Sequence, residues 1–260
     1  MEYKTRVNPD NKIAMLDDTC TSQQILSLAI DTHTNENIRN DRRNNNHFQA
    51  HLNLTATSHA GLWLHAVPSK AIGTHVDSLL YKTIVQRWLR LLLYDSEFHC
   101  PYSDVVVDRF GDHCLVCSYG GDRTKRHNLI RNEIFHIYNS TGLNPELERP
   151  GILQPRPLAG SVYENGAARD PQANRRPADV YLPRWRRGAP AALDLAVTSG
   201  LRSDMVQKSV EDGSVAVKTY ENFKRSYLEM EFICKKEGIN FILLLCEATG
   251  GGWGPAANTV

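Results

Sequence analysis

The sequence predicts an α/β fold of the α+β type: a small sheet with helices packed on it. Three observations carry this. Ala178 to Leu182 and Ala191 to Val197 are short apolar runs joined through Pro183, Gly188 and Pro190, which reads as two buried strands linked by a turn. Asp122 to Tyr138 repeats apolar residues at helical spacing. Ile239 to Cys246 is a third run of strand length, and it follows a long helical region.

Before these elements the pattern is weaker. Residues 1–55 are expected to be poorly ordered, with Ile25, Leu26, Leu28 and Ile30 in a short helix. Asn35 to Asn46 is rich in Asn, Arg and Asp and reads as an exposed loop. Ala60 to Pro68 is a compact apolar segment around Trp63. From Thr74 to Leu93 the residues Val76, Leu79, Leu80, Ile84, Trp88 and Leu91 recur every three or four positions, with Thr74 as candidate N-cap. His65 and His75 read as surface or packing residues.

In the helix from Asp122, the expected stripe is Leu129, Ile130, Ile134, Ile137 and Tyr138, capped by Asp122 or Thr124. Glu133 reads as a solvated carboxylate. A short strand is expected within Glu146 to Leu153, and the Pro-, Gly- and Arg-rich stretch around it as a long loop. Gly213 is expected to divide the later helical region into about 203–212 and 214–237, and Gly238 to end it. Lys208, Lys218, Lys224 and Arg225 fall on its exposed face. Glu247 ends the last strand, and Trp253 is a candidate packing anchor.

The chain has 260 residues, enough for one or two domains with a real core. Its net charge of +1 gives no global attraction to nucleic acid or membrane. Two clusters break that balance: Arg123, Lys125, Arg126 and Arg131, and Arg175, Arg176, Arg184, Arg186 and Arg187. Each suits phosphate contact or a solvated basic face. No apolar run approaches the roughly 20 residues of a membrane span, and the polar N-terminus does not read as a secretory signal. The 6 cysteines follow no disulfide framework and imply a reducing interior. Cys234 and Cys246 read as core thiols. No G-x-S-x-G element suggests a serine hydrolase.

Two features carry chemistry. Asp179 and Asp194 each sit in an apolar strand, where a carboxylate is costly unless paired or metal-bound. Two such groups on neighbouring strands suit a hard divalent cation. The bland alternative pairs them with backbone groups, Arg176 or Arg186. The second feature is His99 to Cys117. Cys100, His113 and Cys117 are three candidate zinc ligands, with His99 or Cys114 as fourth. Ser103 stands where a C-P-x-C knuckle would carry cysteine. Reduced cysteines in a small core are the alternative.

G-D-H-C-L-V-C (111–117), R-H-N-L-I-R (126–131), R-P-A-D-V-Y-L-P-R-W (176–185), A-L-D-L-A-V-T-S (192–199) and C-E-A-T-G-G-G-W-G (246–254) occur in that order. Together they resemble the C-terminal region of reverse-transcriptase-like proteins of non-LTR retrotransposons, over about residues 55–254. In that family a Cys/His knuckle precedes a restriction-like endonuclease of the PD-(D/E)XK superfamily. The resemblance implies an α-β-β-β-α-β core, preceded by a helical region and a small Cys/His-rich segment. The organisation expected is a weakly ordered 1–55, a helical and knuckle-like 56–121, an endonuclease-like 122–254 and a tail at 255–260.

The implied activity is metal-dependent nicking of DNA, or of an RNA–DNA duplex during retrotransposition, in the nucleus. Asp179 matches the acid of the "PD" motif, with Ala178 intervening after Pro177. Asp194 matches the second acid. The D-x-K position holds Ala196, so Lys224, or else Lys218, is expected to supply the lysine from the following helix. Mg²⁺ or Mn²⁺ would sit on Asp179 and Asp194, with Leu195 lending a carbonyl, and Zn²⁺ on the knuckle. Arg126, His127, Asn128, Arg176, Arg184, Arg186 and Arg187 are the implied nucleic-acid contacts. No Tyr-x-Asp-Asp polymerase motif is present. The missing strand lysine keeps open a nucleic-acid-binding remnant of the polyprotein without catalysis, or an inert one.

Overall fold

The computed structural model describes residues 23–153 and 178–259. The described chain divides into two compact units, up to Gln49 and from Ala50 onward. In the first, α1 (Gln23–Asp41) runs through most of the stretch expected to be a loop. Local side-chain bonds sustain it without an apolar stripe. The Thr32 and Thr34 hydroxyls donate to the Leu28 and Ile30 carbonyls, and Arg39 Nε donates to Asn35 Oδ1 at 2.6 Å. Asn45 Oδ1 accepts the Phe48 N–H at 2.9 Å and starts α2 (Asn46–Thr55).

The second unit is built on a four-stranded mixed sheet. Its strands are β3 (Glu146–Leu147), β4 (Val180–Leu182), β5 (Ala191–Thr198) and β6 (Asn240–Glu247), side by side in that order. β3, β4 and β5 are antiparallel neighbours, whereas β5 and β6 run parallel. The parallel pair needs a helical crossover. It consists of α6 (Val206–Glu211), α7 (Val215–Ser226) and α8 (Met230–Lys236).

Strand alternation sorts β5 between two faces. Leu193 and Leu195 pack with Val180, Leu182 and Leu244 against Ile130, Ile134, Phe135 and Tyr138 of α5 (Asp122–Ser140). On the opposite face, Ala192 meets Cys234, Ile233 and Met230, and Ala196 meets Tyr220. The small side chains of Ala192 and Ala196 let α7 and α8 lie close. Asp194 falls between them on that same face.

Several local expectations are corrected. In α5, Leu129 and Ile137 are exposed, because the stripe that reaches the sheet is narrower than the periodicity suggests. Gly121 precedes its first turn in a left-handed conformation, and neither Asp122 nor Thr124 makes a cap bond. α3 covers only Ser78–Trp88 and is capped by Asp77, which accepts the Leu79 and Leu80 N–H groups at 3.0 Å. Thr74 instead closes the preceding loop onto Val67 and Ser69.

The expected helix 214–237 breaks at a 3₁₀ turn, Tyr227–Glu229, where Glu229 has φ +54°. Gly213 has a tighter reason than helix breaking. A Cβ there would collide with the Asn53 carbonyl. Trp253 bridges to Cys246 but remains 37% exposed.

A hairpin of β1 (Phe98–His99) and β2 (Val106–Val107) precedes the short helix α4 (Asp112–Val116). Arg90 binds Asp112 through two bonds of 2.6 and 2.7 Å, and Arg87 adds a third at 3.2 Å. These ties fasten α3 to the start of α4. No described helix is long and apolar enough to cross a membrane.

Candidate active site

Pairing of β4 with β5 brings the two acidic residues to one site. The Asp179 N–H donates to the Leu193 carbonyl at 2.9 Å, which fixes Asp179 at the entry to β4. Its Oδ2 accepts the Leu195 N–H at 2.7 Å and lies 3.2 Å from His127 Nε2 on α5. Asn128 Oδ1 lies 3.4 Å from the other ring nitrogen of His127. The His127 pKa is raised, chiefly by the bond to Asp179.

On the other face of the cleft, Lys224 Nζ donates to both Asp194 oxygens, at 2.9 and 3.2 Å. Burial pushes the Asp194 carboxyl up to about 6, with the Asp179 charge adding to it and Lys224 opposing it. Burial also acts to raise Asp179. The His127 and Leu195 bonds and the Lys224 charge outweigh it and leave that carboxyl below its ordinary value. Lys224 is raised: burial opposes its charge, but Asp194 prevails. Two carboxylates with divergent affinities for protons therefore stand side by side, one against His127 and the other against Lys224.

These groups line a polar cleft of about 410 Å³. Ser118, Arg123, Thr124, Arg126 and His127 form one wall, Tyr220 and Lys224 the other, and Asp194 to Val197 the floor. Arg126 Nη2 donates to the Leu115 carbonyl at 2.9 Å. Its Nε is buried without a partner and no acid pairs with it among the described residues. Burial lowers its pKa, against the opposing charge of Glu247.

The remaining sequence candidates fall elsewhere. Lys218 pairs with Asp212 at 2.9 Å and does not line the cleft. Arg184, Arg186 and Arg187 lie on the β4–β5 connection, away from the cleft lining. Arg186 donates to the Thr259 carbonyl at 2.6 Å and lies over Trp185. Arg175 and Arg176 are outside the described residues. Leu195 presents its N–H to Asp179, where a carbonyl contact was expected. In a strand both groups of a residue face the same edge, so that carbonyl opens toward the same side.

Sequence reasoning missed Ser118, Thr124 and Tyr220 and did not assign Arg123 to a site. The spacing of Tyr220 and Lys224, one helical turn apart, was a signal for the former.

A second cluster lies on the hairpin and α4. Ligand atoms of Cys100, His113 and Cys117 all fall within 4.8 Å of one another. The two sulfurs are 3.8 Å apart. The fourth corner is filled by neither His99 nor Cys114. Cys114 is exposed and faces the Tyr94 hydroxyl at 3.9 Å. Ser103 lies beside the cluster, its Oγ 3.2 Å from His113 Nε2. A bond to Ser103, then the Tyr102 backbone, draws the Cys100 thiol down to about 6. Two sulfurs and one imidazole within a single ion's reach fit Zn²⁺ as a donor set. At the cleft the two acids are hard oxygen donors of the kind a divalent cation takes.

Comparison with protein-family models, with curated proteins and with solved structures gave no match.

Proposed function

We propose that this chain is a metal-dependent DNA endonuclease that hydrolyses one phosphodiester at a time, on a PD-(D/E)XK-type core of retrotransposon origin. The observation that carries it is the Asp179–Asp194 pair, with Lys224 Nζ 2.9 Å from Asp194 at one cleft. The element order α5, β3, β4, β5, crossover helices, β6 supports the same reading. So does the position of Lys224, which reaches from α7 the place left empty by Ala196 on β5.

Asp179 and Asp194 would hold the Mg²⁺ or Mn²⁺, with the Leu195 carbonyl beside them. When bound, the metal supplies an activated water and neutralises charge on the phosphoryl oxygens. His127 orients Asp179 and keeps its carboxylate ionised. Lys224, beside Asp194 in the cleft, would face the scissile phosphate and stabilise the developing charge. Arg126, which makes no salt bridge among the described residues, and Arg123 hold the flanking sugar–phosphate backbone without reading bases. The Cys100, His113 and Cys117 cluster, loaded with zinc, would stiffen the hairpin leading into α5. DNA, or an RNA–DNA duplex, is the implied partner, in the nucleus.

A second reading is a binding module without cleavage. It is favoured by one observation: both acids are already engaged by side chains of the protein, Asp179 by His127 and Asp194 by Lys224. Nicking of supercoiled plasmid with Mg²⁺ or Mn²⁺, beside EDTA and Asp194→Ala controls, separates the two. Metal-dependent nicking abolished by the substitution supports the endonuclease. DNA binding without nicking, unchanged by Asp194→Ala, supports the module.

A further inference from the structure

α7 carries a run of aromatic rings that begins inside the cleft. Tyr220 lines the cleft wall beside Lys224. Phe223 stacks on it, with centroids 5.9 Å apart and planes 14° from parallel. Tyr227 follows at 5.3 Å, tilted by 36°. Tyr220 and Phe223 lie three residues apart on α7, and Tyr227 opens the 3₁₀ turn that follows it. Tyr220 is packed against the sheet, whereas Phe223 and Tyr227 are each 51% exposed.

A single exposed aromatic is ordinary. Here three rings lie in series from the cleft wall, nearly parallel at the inner end and open to solvent at the outer. The inner ring, Tyr220, lines the same cleft as Lys224 and Asp194. An aliphatic partner would gain nothing from ring alignment. A planar base would, because stacking on aromatic side chains tolerates every base and requires only that it be unpaired.

We propose that Tyr220, Phe223 and Tyr227 form a stacking platform for unpaired nucleobases, so that the strand entering the cleft is single-stranded or locally opened DNA. This rests on the endonuclease reading for which strand is cut, but the platform is tested by binding alone. The phosphates of such a strand fall toward Arg123 and Arg126 on the opposite wall while its bases lie along α7.

The test uses the full chain in EDTA, so that no cleavage intervenes. Anisotropy of a labelled oligothymidine strand is compared with that of the same strand annealed to its complement. The wild type should prefer the single strand. Phe223→Ala should weaken that binding roughly tenfold and leave duplex binding unchanged. Phe223→Trp should retain it, and Phe223→Leu, equally apolar and compatible with the fold, should not.

Equal affinity for strand and duplex, or full binding by Phe223→Leu, overturns the platform. Plasmid nicking by the same preparations keeps the two ideas apart. Nicking together with indifference to Phe223→Ala rejects the platform alone. Strand binding lost in Phe223→Ala with no nicking by the wild type retains the platform and rejects the endonuclease.

Discussion

Lys224 on α7 and Asp194 on β5 meet at 2.9 Å although 30 residues separate them. The meeting follows from the fold. Asp194 occupies the strand face on which Ala192 and Ala196 leave room for helices, and the parallel β5–β6 crossover brings α7 back over that face. Both side chains are mostly buried, so the attraction is little screened.

Loss of either partner should be felt twice. Asp194→Ala and Lys224→Ala should each reduce plasmid nicking by about 10²-fold or more, since one removes a metal ligand and the other a charge on the phosphoryl group. Lys224→Ala should also destabilise the metal-free protein by about 1–3 kcal/mol, because Asp194 is left buried without its donor. Urea denaturation measures the second effect independently of the first. Nicking by Lys224→Ala at the wild-type rate would remove the lysine from the mechanism.

The pH dependence of the metal-free protein has a definite sign. Asp194 lies above its ordinary value of 3.8, at about 6, so the fold binds its proton more tightly than the unfolded chain does. That contribution is complete below about pH 4 and is lost as pH rises through about 6. His127, also raised, acts in the same direction. Thermal melts in EDTA should therefore show the wild type losing stability relative to Asp194→Asn across that interval. A constant difference between the two proteins would show that Asp194 does not titrate within it.

The sequence was most legible where burial dictated pattern. The runs at 178–182, 191–197 and 239–246 became β4, β5 and β6 with ends shifted by one or two residues, because a buried strand must be apolar. It was least legible where local polar bonds or a remote chain segment decided the outcome. α1 stands on Thr and Asn side-chain bonds that no periodicity reports. Asp77 displaced Thr74 as cap because Thr74 was drawn to Val67. Gly213 reads as a helix breaker, and only the passing backbone of Asn53 shows why it has no side chain. Tyr220 went unassigned because an aromatic at helical spacing is more often core than site.

Ser103 decides the affinity of the Cys/His cluster. A hydroxyl is a harder and weaker zinc donor than a thiolate, so three protein ligands plus Ser103 should hold the metal loosely. Ser103→Cys should tighten binding at least about tenfold, and Cys117→Ala should abolish it. Titration with Co²⁺, read by its thiolate absorption, reports both. Co²⁺ spectra identical in the wild type and Cys117→Ala would exclude the cluster as a metal site.

Glu247, at the end of β6, makes the opposite bet to the cleft acids: it is fully engaged by the fold. It is 5% exposed. Its carboxylate accepts the N–H groups of Gly200 at 3.0 Å, Thr249 at 2.6 Å and Gly251 at 3.1 Å, together with the Thr249 hydroxyl. It therefore ties the segment after β5 to the turn after β6, around the buried Leu54 of α2. Glu247→Ala would strand these donors and should cost about 3 kcal/mol or more. Glu247→Gln should recover only part of the loss, because its amide sets a donor against donors. Urea denaturation of the two variants tests this. Glu247→Gln as stable as the wild type would mean that the charge is not needed there.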